Sequence, residues 1–353
     1  MFNPSFLQKI AQSSHKRLTY LLNEKSKFDG RLLVIVVLLG YFGLLFISNI
    51  FTDYTIFWQK LGVPAFPRPF VDLGNVISGF ECTRLGYDVL LENPCDPISS
   101  DTPVMYPRIW MALTPLGINQ SHTIIFGIIL TALFYLSILI LVGKLNYYEA
   151  LFYSLILCSP AIMLLIERGN VDMIIFLLLF FSWIISCKSK RLIGRYLAYS
   201  VISFASFLKL FPVFGLAVLF KEKRKTFIIS IAIFLTPFLI YCLSHSGELR
   251  AINKTVPVTN YYSYGHKIIF MNLQEYYSFL FPIGKVVLIE LIFFITSFLI
   301  GSKLLINSLH EFNIWRMKPF QTNTLIDLNN PKISYKIDSF RLGSGIYLSL
   351  IHI

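Results

Sequence analysis

Glu167-Arg168-Gly169-Asn170-Val171-Asp172 sits between two apolar runs, residues 151–166 and 173–187, neither of which carries a charge. A charge placed near lipid costs several kcal/mol unless it is paired or faces water, so three ionisable groups and an amide at this place read as a functional site. The plainer alternative is a polar turn joining two membrane helices at the interface, where charges are tolerated.

Composition decides the surrounding solvent. Of 353 residues, 55% are hydrophobic and only 14% charged, with mean hydropathy +0.65, a balance that excludes a water-soluble globular protein. The expected fold class is an all-α polytopic membrane protein. The net charge of +12 comes from Lys and Arg grouped in short segments between apolar runs, which read as topology signals rather than as a nucleic-acid surface.

Residues 1–31 are basic, with apolar residues loosely on one face, and suit a helix lying on the cytoplasmic surface. Residues 32–51 are uncharged and long enough to span; no small-residue cleavage site follows, so they read as an anchor. The next segment, 52–108, inverts the charge (Asp53, Asp72, Glu81, Asp88, Glu92, Asp96 and Asp101 against Lys60, Arg68 and Arg84). The positive-inside rule places it outside, as a large first extracytoplasmic loop. Pro64, Pro67 and Pro69 keep its first part extended. Helical spacing runs from Asp72 to Leu85, where Gly86 ends it.

Residues 123–142 span, and 151–166 with 173–187 form a hairpin whose tip is the Glu167 motif. Lys188, Lys190, Arg191 and Arg195 then lie in the cytoplasm, so the tip faces outward. A second basic cluster, Lys221, Lys223, Arg224 and Lys225, requires residues 196–220 to enter and leave from one side as two half-helices broken near Lys209-Leu210-Phe211-Pro212. Residues 228–243 span, 244–282 form a Tyr-rich second outer loop, 286–306 return, and 307–339 are a cytoplasmic connection. Together 32–306 make the membrane core. Residues 340–353 open like a membrane helix and stop short of a span, which predicts a C-terminally truncated chain. Leu348-Ser349-Leu350-Ile351-His352-Ile353 resembles translated sequencing-adapter sequence. The alternative is a natural short hairpin or re-entrant end.

No repeat, phosphate-binding glycine loop, metal-type His or Cys spacing, or nucleophile elbow is present, so any chemistry belongs to loops and helix ends. No cofactor is indicated, although a divalent cation stays open. Of five cysteines only Cys82 and Cys95 fall in the outer loop, whose oxidising compartment predicts a disulfide between them. His122, His245 and His266 are isolated and read as interface residues.

Three segments together resemble the GT-C class of integral-membrane glycosyltransferases, and most of all glycosyltransferase family 87, over roughly residues 30 to 240. They are Glu167-Arg168-Gly169-Asn170-Val171-Asp172 with its apolar continuation; Ala205-Ser206-Phe207-Leu208-Lys209-Leu210-Phe211-Pro212 with the basic cluster after it; and Asp72 followed by Gly86-Tyr87-Asp88 and Tyr106-Pro107. The resemblance implies a GT-C-like helical bundle in the plasma membrane, with its N-terminus in the cytoplasm and its active site outside. It also implies transfer of a sugar, of mannosyl or arabinofuranosyl type, from a polyprenyl-phosphate donor to a glycolipid or glycan acceptor.

The residues fit that chemistry on their own. A polyprenyl-phosphate sugar carries its leaving group, so the protein must deprotonate an acceptor hydroxyl and stabilise the departing phosphate. Asp72 is the candidate general base, against the alternative of a solvated loop acid. Arg168 is the candidate phosphate partner, because guanidinium forks match phosphate oxygens. Glu167 would orient or neutralise Arg168, and Asn170 and Asp172 read as caps of the following helix. Lys209 stands evenly between a lipid-phosphate contact and a side chain snorkelling to the cytoplasmic surface. The competing function is a transporter or flippase of a lipid-linked saccharide, since broken helices and buried charges also mark transport paths.

Overall fold

The computed structural model describes residues 29–255 apart from 97, 99–101, 190 and 191. The expected surface helix before residue 29, Lys190, Arg191, the Tyr-rich part of the second outer loop, the 286–306 span, the 307–339 connection and the chain end lie outside the described residues. The described chain is helical, with no strand. It forms two compact units, 29–77 with 119–177 and 78–118 with 178–255.

In the first unit α1 (Arg31–Phe51) has 21 residues, and at about 1.5 Å per residue it covers about 31 Å, the thickness of a hydrocarbon core. Its side chains Leu39, Phe46 and Ile50 are each about two-thirds exposed, which suits lipid and not water. Gly30 lets the start of α1 meet α5 (Tyr147–Leu157): its N–H donates to Leu145 O at 2.9 Å. A Cβ on Gly30 would lie 2.7 Å from Asn146 O. Asn146 and Glu149 then close a capping box that starts α5, satisfying backbone donors that would otherwise be orphaned.

α2 (Tyr54–Lys60) begins at Asp53, whose carboxylate accepts from Thr55 N at 2.8 Å and from Thr55 Oγ1. Those two bonds hold the Asp53 carboxyl below the usual carboxylate range. α3 (Val71–Arg84) occupies the interval expected of it and ends with Gly86 at φ +90°. A 3-10 helix (Arg108–Leu116) follows, and then a short one (Gln120–His122) that runs into α4 (Thr123–Val142).

The run 151–166 differs from the straight hairpin arm that its hydropathy suggests. It is two helices, α5 and α6 (Pro160–Glu167), bent by 52° at a short break. Pro160 causes this, because its ring excludes the carbonyl four residues back and pushes Ser159 out of the helical region, to φ −67° and ψ 151°. Beyond the motif, α7 (Asp172–Lys188) provides the other arm.

In the second unit α8 (Leu192–Leu208) gives way to a 3-10 helix (Phe211–Lys221), so the break falls at Lys209 and Leu210. Tyr199, Ile202, Leu216, Leu219 and Phe234 pack as its core. α9 (Arg224–Ser230) and α10 (Thr236–Ser244) are joined through a π turn at Ile231–Leu235. Pro237 lacks the N–H that a regular helix would return to the preceding turn, and Ser203 Oγ bonds the Phe234 carbonyl in that region at 3.2 Å. The last described helix is α11 (Ser246–Thr255). Cys82 and Cys95 are disulfide-bonded with Cα atoms 5.7 Å apart, and Asn93 Nδ2 donates to Ser78 Oγ beside them at 2.8 Å.

Among the described residues three helices are long and apolar enough to cross a membrane, Arg31–Phe51, Gln120–Val142 and Arg224–Ser244, or four if the bent pair is a single span. The chain is therefore a membrane protein.

Candidate functional site

The candidate site lies within the first unit, where the turn after α6 meets the start of α3. Gly169 takes φ +60°, a left-handed conformation that costs a side-chain-bearing residue about 1–2 kcal/mol. Its N–H returns to Ile166 O at 2.9 Å and that of Asn170 to Leu165 O at 3.0 Å, so the chain reverses within one turn. This exposes the Glu167 and Arg168 carbonyls sideways.

α3 fills them. The first N–H groups of a helix have no partner inside it. Here Asp72 N donates to Arg168 O at 2.9 Å, and Phe70 N, just before the helix, donates to Glu167 O at 2.7 Å. The docking needs a second left-handed residue, Phe70 at φ +61°, at the end of the bend and turn made by residues 67–70. The Phe70 ring packs where a Gly127 side chain would be, 2.3 Å from an ideal Cβ, and its own Cβ is 2.9 Å from one on Gly169.

This arrangement brings Asp72 and Asn170 together across 98 residues: Asn170 Nδ2 donates to Asp72 Oδ2 at 2.8 Å. Asn170 Oδ1 accepts from Asp172 N at 2.9 Å, so the one amide both starts α7 and holds the Asp72 carboxylate. The expectation that Asn170 is a helix cap describes half of its role. Asp72 and Asp172 remain partly exposed, whereas Arg168 is only 8% exposed, with its guanidinium carbon 5.6 Å from the Phe66 ring centre.

Glu167 is the most buried ionisable residue of the cluster, at 1% exposure. Its Oε1 accepts from Phe66 N at 3.2 Å; its Oε2 is buried without a hydrogen-bond partner. The half-buried Tyr54 phenol faces the same carboxylate. Burial first, and then the Glu167 charge, push that phenol up, so Tyr54 carries its proton at neutral pH and is a donor. Tyr54, Phe66, Phe70 and Gly127 were not legible as site residues; the one signal was an aromatic between prolines in Pro64-Ala65-Phe66-Pro67.

Lys209 belongs to the second unit. It follows α8, with its Nζ 5.7 Å from the Phe211 ring centre, next to Leu208, whose carbonyl accepts from Trp110 Nε1 at 3.1 Å. Among the described residues no three His, Cys, Asp or Glu side chains are grouped as a metal ion requires. The arrangement can thus offer a hydrogen-bonded carboxylate that accepts a proton and a guanidinium held beside an aromatic ring. The chain matches no family model, no curated protein and no solved structure.

Proposed function

We propose that the chain is an integral-membrane glycosyltransferase using a polyprenyl-phosphate sugar on the extracytoplasmic side, with inversion. The observation that carries this is the pairing of Asp72 with Asn170 at 2.8 Å on a turn whose next residue back but one is the buried Arg168. Asp72 takes the proton of an acceptor hydroxyl as that oxygen attacks the anomeric carbon. The bond from that carbon to the phosphate oxygen breaks, and the electron pair leaves with the polyprenyl phosphate, whose charge Arg168 offsets. The Asn170 hydrogen bond orients the Asp72 carboxylate for this transfer, and the low exposure of Arg168 strengthens its attraction to phosphate.

The test supplies purified protein in nanodiscs with a radiolabelled polyprenyl-phosphate sugar and a panel of glycolipid and glycan acceptors. Transfer that falls by about 1,000-fold or more in Asp72→Asn supports the assignment, since a general base commonly contributes 10²–10⁴-fold. Unchanged transfer in that variant removes Asp72 from the mechanism. Movement of lipid-linked saccharide across vesicles without any transfer would favour the flippase instead.

A further inference from the structure

We infer that Glu167 is a positioning residue that fastens the proline-rich strap of residues 61–70 beside Arg168, through the backbone N–H of Phe66. Leu61, Gly62 and Val63 return their N–H groups to α2, but Pro64, Pro67 and Pro69 have no N–H to donate. Glu167 supplies two acceptors to the strap: Oε1 accepts from Phe66 N at 3.2 Å and the main-chain carbonyl accepts from Phe70 N at 2.7 Å. Between them the Phe66 ring lies beside the guanidinium.

An acidic side chain only 1% exposed, with the Tyr54 phenol beside it, is costly to keep. A residue serving only to pack would not be a carboxylate. The strap sets where the ring sits, and the ring limits which direction a phosphate can take to Arg168. This last step rests on the proposed donor-phosphate role of Arg168; the fastening does not.

The fastening is read by alkylation. Ala65 in the strap is 5% exposed, so Ala65→Cys, in protein with Cys158, Cys187 and Cys242 replaced by Ser, reports strap opening. Ala205, fully buried in the second unit, gives the control Ala205→Cys. Glu167→Ala is expected to raise the alkylation rate at position 65 about tenfold, the size of one lost hydrogen bond, and to leave position 205 protected. Glu167→Gln, which keeps the acceptor oxygen, is expected to restore most of the protection. An unchanged rate at 65 in Glu167→Ala, equal opening in Glu167→Gln, or joint exposure of 65 and 205 would each overturn the proposal. In the transfer assay the same Glu167→Ala is expected to raise the donor KM more than it lowers kcat. Failure of transfer in every variant would count against the proposed function and leave the alkylation result standing.

Discussion

Asn170 donates to Asp72 through Nδ2 while accepting from Asp172 N through Oδ1, so one side chain serves two elements. The roles can be separated. Asn170→Asp keeps an acceptor for Asp172 N and replaces the donor with a second carboxylate facing Asp72. Like charges at that distance disfavour ionisation. The acidic limb of the transfer rate is therefore expected to move to higher pH in Asn170→Asp, with melting close to that of the parent. Asn170→Ala is expected to lose about 1 kcal/mol of stability through the cap as well as activity. A pH–rate profile that does not move in Asn170→Asp would separate Asn170 from the base.

Phe70 and Gly127 fit each other so closely that a methyl on Gly127 has nowhere to go. Its ideal position is 2.3 Å from the Phe70 ring, and that ring is held by a backbone already in the left-handed region. Gly127→Ala is expected to cost about 1–3 kcal/mol, the usual range for overpacking. In Gly169→Ala the φ of +60° adds about 1–2 kcal/mol of strain to a 2.9 Å approach to Phe70 Cβ. Gly40, helical like Gly127 but with nothing within 4 Å, is the control: Gly40→Ala should cost nothing. Melting in detergent that ranks Gly40→Ala with Gly127→Ala would contradict the wedge.

Much of this was legible in the sequence because membrane helices declare themselves by length and lack of charge. The interval of α3, its stop at Gly86 and the break at Lys209 follow from local rules of periodicity, glycine and proline. The bend at Pro160 was missed because hydropathy does not register a proline inside an otherwise continuous apolar run. Within the site, Glu167, Arg168 and Asn170 stood out as polar groups between apolar runs, whereas Asp72, one of seven acids in a polar segment, was singled out through the resemblance. Phe66, Phe70 and Tyr54 did not stand out, since an aromatic near a membrane surface is unremarkable until its long-range neighbour is known. The double role of Asn170 depends on a contact 98 residues away, which no window of sequence contains.

Cys82 and Cys95 close a loop across a sequence separation of 13, and Cys158, Cys187 and Cys242 are free. Alkylation of the unfolded, unreduced protein is therefore expected to add three labels, and alkylation after reduction five. The paired change Cys82→Ser with Cys95→Ser is expected to lower stability by about 3 kcal/mol, the effect of releasing a loop of this size. Its consequences should be felt first at Val89 and Val104, which pack against buried Cys82. Five labels without reductant would refute the bridge.

Glu222 lies 4% exposed at the end of the 3-10 helix that follows α8, and both of its oxygens are within 2.8 Å of Arg195 Nη1. Tyr199 OH donates to Oε1 at 2.5 Å. The two partners are not equally buried, since the Arg195 side chain keeps 37% of its surface. Removing one member of an ion pair costs according to what the other is left to do. Glu222→Ala frees a cation that can turn to water, at a cost of about 1–2 kcal/mol, close to the range of half-exposed pairs. Arg195→Ala instead leaves a carboxylate enclosed with one phenol for company, and is expected to cost about 3 kcal/mol or more. The order is the prediction: Arg195→Ala should melt below Glu222→Ala, and the double variant should lie nearer to Glu222→Ala than to the sum of the two. Thermal unfolding of the three variants in the same detergent decides it, and a Glu222→Ala protein less stable than Arg195→Ala would show that the carboxylate, not the guanidinium, is the partner with access to water.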